Sequence, residues 1–186
     1  DVAYLNENGI KIWNKDAYNW YLKKTKEFDE KYKDTNFNIM SFEDFSKIGE
    51  GSVCKNYSAQ WRNFNGNTDQ IQNLIDDMKN NIMGSRLKVN AWNPSEVDAT
   101  ALPPCHSEFQ VIGVPLEDGE FGFELHWNQR SVDTFLGLPF NIASYGLLAK
   151  ILEQITGYKA LGIEGTLKCV HFYDNQYKKL EHQEKS

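Results

Sequence analysis

Apolar positions along the chain switch between two spacings. Ile71, Leu74, Ile75 and Met78 follow the i, i+3, i+4, i+7 template of an amphipathic helix that Thr68-Asp69-Gln70 opens and Asn80-Asn81 ends. From Arg86 to Trp92 the period falls to two, with Leu87, Val89 and Ala91 set against Lys88 and Asn90, which predicts a strand. Phe109 to Val114 predicts a second strand, and Glu117-Asp118-Gly119-Glu120 is a hairpin turn signal. Phe121, Phe123, Leu125 and Trp127 then alternate with Gly122, Glu124, His126 and Asn128, giving a third strand that runs into Gln129-Arg130. Gly137-Leu138-Pro139 reads as a tight turn. Asn141 to Thr156 is apolar on most sides, which predicts a buried helix with Gly157 as its C-cap. Leu167 to Tyr173 reads as a last strand, and the tail from Lys178 is polar.

The first fifty residues carry weaker signals. Asp1 to Trp13 reads as a short helix stopped by Asn8-Gly9, followed by apolar Ile10 to Trp13. Tyr18, Tyr21, Leu22, Phe28 and Tyr32 form an imperfect helical stripe, and Ser41 with Asp44 has capping-box spacing. Gly49-Glu50-Gly51-Ser52 is a loop signal, and residues 15–53 read together as a charged, solvated insertion. Strands and helices mix without strict βαβ order. The expected class is therefore α+β with a mixed sheet, in a single domain over residues 1–186.

Composition narrows the function classes. With 40% hydrophobic and 13% aromatic residues, the chain can bury a sizeable core. A net charge of −6 argues against general attraction to nucleic acid or to an anionic membrane. Three cysteines, Cys54, Cys105 and Cys169, give no disulfide framework and suit a reducing, cytoplasmic compartment. The chain opens without Met, as if mid-element, so a preceding segment is expected.

Candidate chemistry concentrates in two stretches. Cys105 follows two prolines that stiffen its backbone, and His106 comes next. Arg130 ends a strand that can pair beside it, and a nearby guanidinium favours the nucleophilic thiolate. Cys54 and Cys169 lack such surroundings and read as structural. Arg130-Ser131 combines a bidentate fork with a short donor, suited to a phosphate, although a surface Arg at a strand end fits the spacing equally. Asp133 alone reads as a turn or cap residue, or as a buried acid. The Asn141 amide offers a donor and an acceptor that match the N3–H and O4 edge of uracil, and it also suits a helix N-cap before Ile142. His171 and Tyr173, two apart on a strand, share a face and read either as sugar ligands or as polar core. No metal-ligand spacing or Gly-rich phosphate loop appears.

Leu102-Pro103-Pro104-Cys105-His106 followed by Gln129 to Tyr145 resembles the thymidylate synthase family. Tyr57-Ser58-Ala59-Gln60-Trp61-Arg62, Ala91-Trp92-Asn93-Pro94 and His171-Phe172-Tyr173 extend the resemblance in the same order along nearly the whole chain. It implies reductive methylation of deoxyuridine monophosphate with 5,10-methylenetetrahydrofolate as co-substrate and no metal. Cys105 would attack C6, with Gln129 and Arg130 near the thiol. Arg130 and Ser131 would hold the phosphate, Asn141 would read the uracil edge, and His171 and Tyr173 would bind the sugar hydroxyl. Asp133 would contact the pterin. Trp13, Leu102, Leu136, Gly137 and Phe140 would line the folate side. Tyr57 and His106 would belong to a proton relay. The family forms dimers through sheet faces, with an Arg reaching the partner's phosphate, and Arg86 matches that donor.

The chain departs from the family pattern in places. Ser85 stands where a second interface Arg is usual, Asp16 where a second Trp is usual, and Lys168-Cys169 where Gly-Asp is usual. The family's N-terminal Arg loop and C-terminal closing segment lie outside these 186 residues, so little turnover is expected from this chain alone. Two rivals stay open: a deoxynucleotide hydroxymethylase of the same superfamily, in which water replaces hydride, and an inactive nucleotide-binding or dimerisation module.

Overall fold

Lys88–Asn90 (β1), His106–Pro115 (β2), Phe121–Gln129 (β3) and Lys159–Leu167 (β5) form a mixed sheet in the order β1-β2-β3-β5. The first three strands are antiparallel and β5 runs parallel to β3. The structure is a computed structural model describing residues 2–32, 38–48, 55–117 and 119–177. The expected loop at Gly49-Glu50-Gly51-Ser52, Cys54 and the tail from Lys178 lie outside the described residues.

The two-residue period does what it predicts. Val89, Phe109, Val111, Phe123, Leu125 and Trp127 point to one face and are buried. Gln70–Asn80 (α5) and Gly137–Thr156 (α6) cover that face, contributing Leu74 and Met78 from α5 and Tyr145, Ala149 and Leu152 from α6. Each fully buried Phe or Leu contributes roughly 1.5–3 kcal/mol. Asp69 is the N-cap of α5, its carboxylate accepting from Gln72 N at 3.0 Å. The Gln70 side chain donates to the carbonyls of Gln60 and Asn90 and accepts from Asn90 N, pinning β1 to the start of the helix. At the β2–β3 hairpin Leu116 N donates to Glu120 O, and Gly119 sits at φ +82°, which a side chain would resist.

Four features differ from the sequence expectation. Lys159–Leu167 is a full strand, although Gly162 and Gly165 break its apolar period. The expected last strand from Leu167 to Tyr173 is cut at Cys169, which takes φ +44°. Beyond it Val170–His171 (β6) pairs in parallel with Val132–Asp133 (β4) as a separate two-stranded sheet. Helix α6 begins at Gly137, four residues before Asn141, so Gly137-Leu138-Pro139 is its first turn; Pro is tolerated there because the first N–H groups have no intrahelical partner. Finally, α6 is not buried all round: Phe140, Leu147, Ile151 and Ile155 form a second apolar stripe that stays exposed.

The chain divides into two compact units, Asp1–Ala59 with Asn93–Pro103, and Gln60–Trp92 with Pro104–Ser186. The sheet, α5 and α6 belong to the second. The first contains Val2–Glu7 (α1), Asn14–Tyr32 (α2) and Phe42–Ile48 (α3). Its small core is Ala17 and Phe45 with Trp13, Tyr18, Tyr21 and Met40 against them. Tyr18 Oη donates to Met40 O at 2.8 Å, and Met40 N donates to Tyr21 Oη at 3.1 Å. Tyr18 and Tyr21 of the α2 stripe therefore pack on Phe45 of α3. Ser41 caps α3 as spaced, with Asp44 N donating to Ser41 Oγ at 3.1 Å and Ser41 Oγ donating to Asp44 Oδ2 at 2.6 Å. Tyr57–Asn63 (α4) is a short helix with no periodic signal in the sequence.

Candidate functional site

Within the second unit, β2 and β3 bring the two chemical stretches together. His106 pairs with Gln129 across the ladder, Arg130 N donates to Cys105 O at 2.8 Å, and Arg130 Nε donates to Pro104 O at 2.8 Å. The Arg130 guanidinium also lies over the Trp92 ring, 5.5 Å from its centroid. Backbone bond, side-chain bond and ring contact together fix Arg130 beside a half-buried Cys105 thiol. The backbone proximity of Arg130 to Cys105 expected from the strand pairing is present.

Asn141 joins the same group. It lies in the second turn of α6, so the N-cap reading of Asn141 falls away; the side chain turns instead to Gln129, whose Nε2 donates to Asn141 Oδ1 at 3.0 Å. Gln129 is only 3% exposed, and its amide is shared further. Nε2 also donates to Ser131 O at 3.1 Å, and Oε1 accepts from Trp127 Nε1 at 3.3 Å. This fixes which way the Asn141 amide faces: Oδ1 toward Gln129, with one acceptor position left on Oδ1 beyond that bond.

His106 is held from the other side. Its Nδ1 lies 3.1 Å from the Tyr145 hydroxyl. Burial depresses the imidazole from 6.5 to about 4, so the ring is neutral at neutral pH. Tyr145 itself is 3% exposed and stacks on Trp127 at 4.8 Å and 15°.

Asp133 takes the turn-residue character and is half-buried rather than buried. Its Oδ1 accepts from Phe135 N at 3.2 Å and Leu136 N at 3.1 Å, which makes it the turn acceptor ahead of α6. Both oxygens also accept from Gln176 Nε2, at 3.0 and 3.1 Å. Through β4 and β6 it pairs with His171. His171 Nδ1 donates to Cys169 O at 2.7 Å, which places the proton on Nδ1 and leaves Nε2 as the acceptor while the ring is neutral. Tyr173 is exposed, its ring set edge-on to His171 at 5.1 Å. Leu136 and Phe140 are exposed at the start of α6, and a Cβ at Gly137 would stand 3.4 Å from Asp133 Cβ.

Trp13, Tyr57 and Leu102 belong to the first unit. There Asn56 Nδ2 donates to Leu102 O at 3.2 Å and Asn56 Oδ1 accepts from Tyr57 N at 2.9 Å, so a single buried amide holds Tyr57 and Leu102. Arg86 is not part of the Cys105 group. Lys88 pairs with Gln110, four residues along β2 from His106, and Arg86 lies beyond it, about 20 Å from His106 at strand rise. It borders a surface cavity of about 350 Å³ with Asp77, Asn80, Asn81, Gly84 and Leu87. Three residues that matter to the site carry no expected role: Tyr145, Trp127 and Gln176. Tyr145 had a signal, since it sits four residues after Asn141 and therefore on the same helical face. Gln176 had none. Among the described residues no group of three or more His, Cys, Asp or Glu could hold a metal ion, and no helix is long and apolar enough to cross a membrane.

A thymidylate synthase family model matches residues 1–185. Thymidylate synthase of Malacoplasma penetrans is 40% identical over 185 residues, covering 98% of this chain and 61% of the relative. Thymidylate synthase of Mycoplasma mobile is 40% identical over 184 residues, with the same coverage of 98% and 61%. A probable thymidylate synthase of Escherichia phage T5 is 47% identical over 136 residues, 73% of this chain and 47% of the relative. The chain thus spans about 61% of the length of the two mycoplasma relatives. With a match along nearly its whole length, and with the Cys105, Arg130 and Asn141 stretches folded against one another, the chain belongs to the thymidylate synthase family.

Proposed function

We propose that the protein methylates deoxyuridine monophosphate reductively, using 5,10-methylenetetrahydrofolate and leaving dihydrofolate. The Cys105 thiolate adds to C6, and C5 bonds to the folate methylene. Loss of the C5 proton and of tetrahydrofolate gives an exocyclic methylene. Hydride from that tetrahydrofolate then makes the methyl group, and Cys105 leaves as thiolate. Arg130 beside Cys105 favours the thiolate and, with Ser131, receives the phosphate. Asn141 Nδ2 donates to O4 while the remaining acceptor position on Oδ1 takes N3–H. His171 Nε2 accepts from the sugar hydroxyl, with Tyr173 beside it. Asp133, Leu136, Gly137 and Phe140 serve the folate, and His106 serves proton transfer; the family pattern assigns Trp13 and Leu102 of the first unit to the folate and Tyr57 to proton transfer.

The observation that carries this reading is the Gln129–Asn141 hydrogen bond, because it ties the uracil-reading amide to the strand position paired with the residue after Cys105. The distance of Arg86 from Cys105 along β2 favours delivery of Arg86 to the phosphate of a second copy, in a homodimer. The sparse cysteines suit work in the cytoplasm. Intact-mass analysis with 5-fluoro-dUMP and the folate tests the chemistry. The expected result is a stable ternary adduct on Cys105 that is absent in Cys105→Ser. With dUMP, a hydroxymethyl product without dihydrofolate would overturn the methylation reading in favour of hydroxymethylation; no adduct and no product from the full-length protein would overturn both.

A further inference from the structure

We propose that Tyr145 is a positioning residue for His106, setting the tautomer and the plane of its imidazole. This rests on the reading above, in which His106 handles protons during turnover. A buried hydroxyl needs a partner, and Tyr145, at 3% exposure, has His106 Nδ1 at 3.1 Å. The Tyr145 ring has little freedom. Trp127 stacks on it at 4.8 Å, and Phe109 meets it edge-on at 6.0 Å. The hydroxyl therefore addresses His106 from a fixed point, and the two rings lie 5.4 Å apart at 32°.

The same aromatic pair supports both halves of the polar row. Tyr145 reaches His106, while Trp127 donates through Nε1 to Gln129, which in turn donates to Asn141. One stacked pair thus holds the proton-handling ring and the base-reading amide in register. Within the second unit the groups beside His106 include its chain neighbour Cys105, its ladder partner Gln129 with Arg130 beyond, and Tyr145 from α6. Because burial keeps the imidazole neutral, only one of its nitrogens carries a proton, and the choice decides whether the ring offers a donor or an acceptor to the site. A phenol donates readily to an imidazole lone pair, so Tyr145 Oη–H points at Nδ1 and the proton sits on Nε2. Removing the phenol takes away a bond that favours the neutral ring.

The test is Tyr145→Phe in the intact protein, since it keeps the ring on Trp127 and deletes only the hydroxyl. Proton–nitrogen NMR of labelled histidine should show His106 as the Nε2–H tautomer in the parent and as a mixture in the variant, with its titration midpoint raised. Turnover should fall about tenfold in kcat with KM for the nucleotide nearly unchanged. In a double-mutant cycle, adding Tyr145→Phe to His106→Gln should cost little more, because the hydroxyl acts through the ring. An unchanged His106 spectrum, or fully additive losses in the cycle, overturns the proposal. A parent enzyme that forms no thymidylate overturns the reaction instead, and the spectrum then decides the role of Tyr145 on its own.

Discussion

Gln129 Nε2 donates to Asn141 Oδ1 across 3.0 Å, from a residue that also accepts the buried indole N–H of Trp127. Gln129→Met keeps the volume and removes both of these bonds and the one to Ser131 O. Leaving buried polar atoms without these partners costs about 1–3 kcal/mol, so the urea midpoint should fall accordingly. Asn141 would also lose the partner that sets its facing, and titration calorimetry should find nucleotide binding weakened by about tenfold. Full stability with full affinity would contradict the arrangement.

His106 gives a pH dependence with a definite sign. Burial lowers its folded value from 6.5 to about 4, so between those values the unfolded chain holds more protons than the folded one. The stabilisation is complete above pH 6.5, declines as pH falls toward 4, and levels off below it. The full loss is on the order of 3 kcal/mol. Urea melts from pH 7 to 4 should show this slope, and His106→Gln should flatten it.

Asp133 stands ahead of a helix that has no side-chain cap of its own at Leu136. It accepts from two backbone N–H groups and from Gln176. Asp133→Ala should cost about 1–2 kcal/mol in chemical denaturation. Gln176→Leu should cost less, because the backbone bonds survive.

Gly165 lies under Trp127 in the parallel β3–β5 pairing, and a Cβ there would stand 2.3 Å from the indole. Gly165→Ala should cost about 1–3 kcal/mol in thermal or urea melts. The displaced indole should shift the tryptophan emission, while a substitution with no such shift would place Trp127 elsewhere.

How far the sequence could be read depends on what each element uses to hold itself. Ile71, Leu74, Ile75 and Met78 sit on a helix whose tertiary contacts fall on one stripe, so periodicity alone finds α5. Leu87 to Ala91 and Phe121 to Trp127 alternate because one sheet face is covered. The start of α6 escapes because Gly137-Leu138-Pro139 has the composition of a turn, and only the acceptors on Asp133 mark it as a helix entry. β5 escapes because Gly162 and Gly165 interrupt its period, and Gly165 does so to admit Trp127. The pairing of Cys105 with Arg130 was legible from two strands joined by a hairpin. The Tyr145–His106 bond was not, because nothing in a run of helical apolar residues marks one hydroxyl as the partner of a residue thirty-nine positions away.

The second stripe of α6 has a practical consequence at the bench. Phe140, Leu147, Ile151 and Ile155 offer water a continuous oily ridge on a long, well-formed helix. Concentrated samples of this chain should turn cloudy, brighten an environment-sensitive dye such as ANS, and clear when mild detergent is added. Leu147→Lys with Ile151→Glu should keep the sample clear without disturbing the sheet, because neither side chain is among those buried against it.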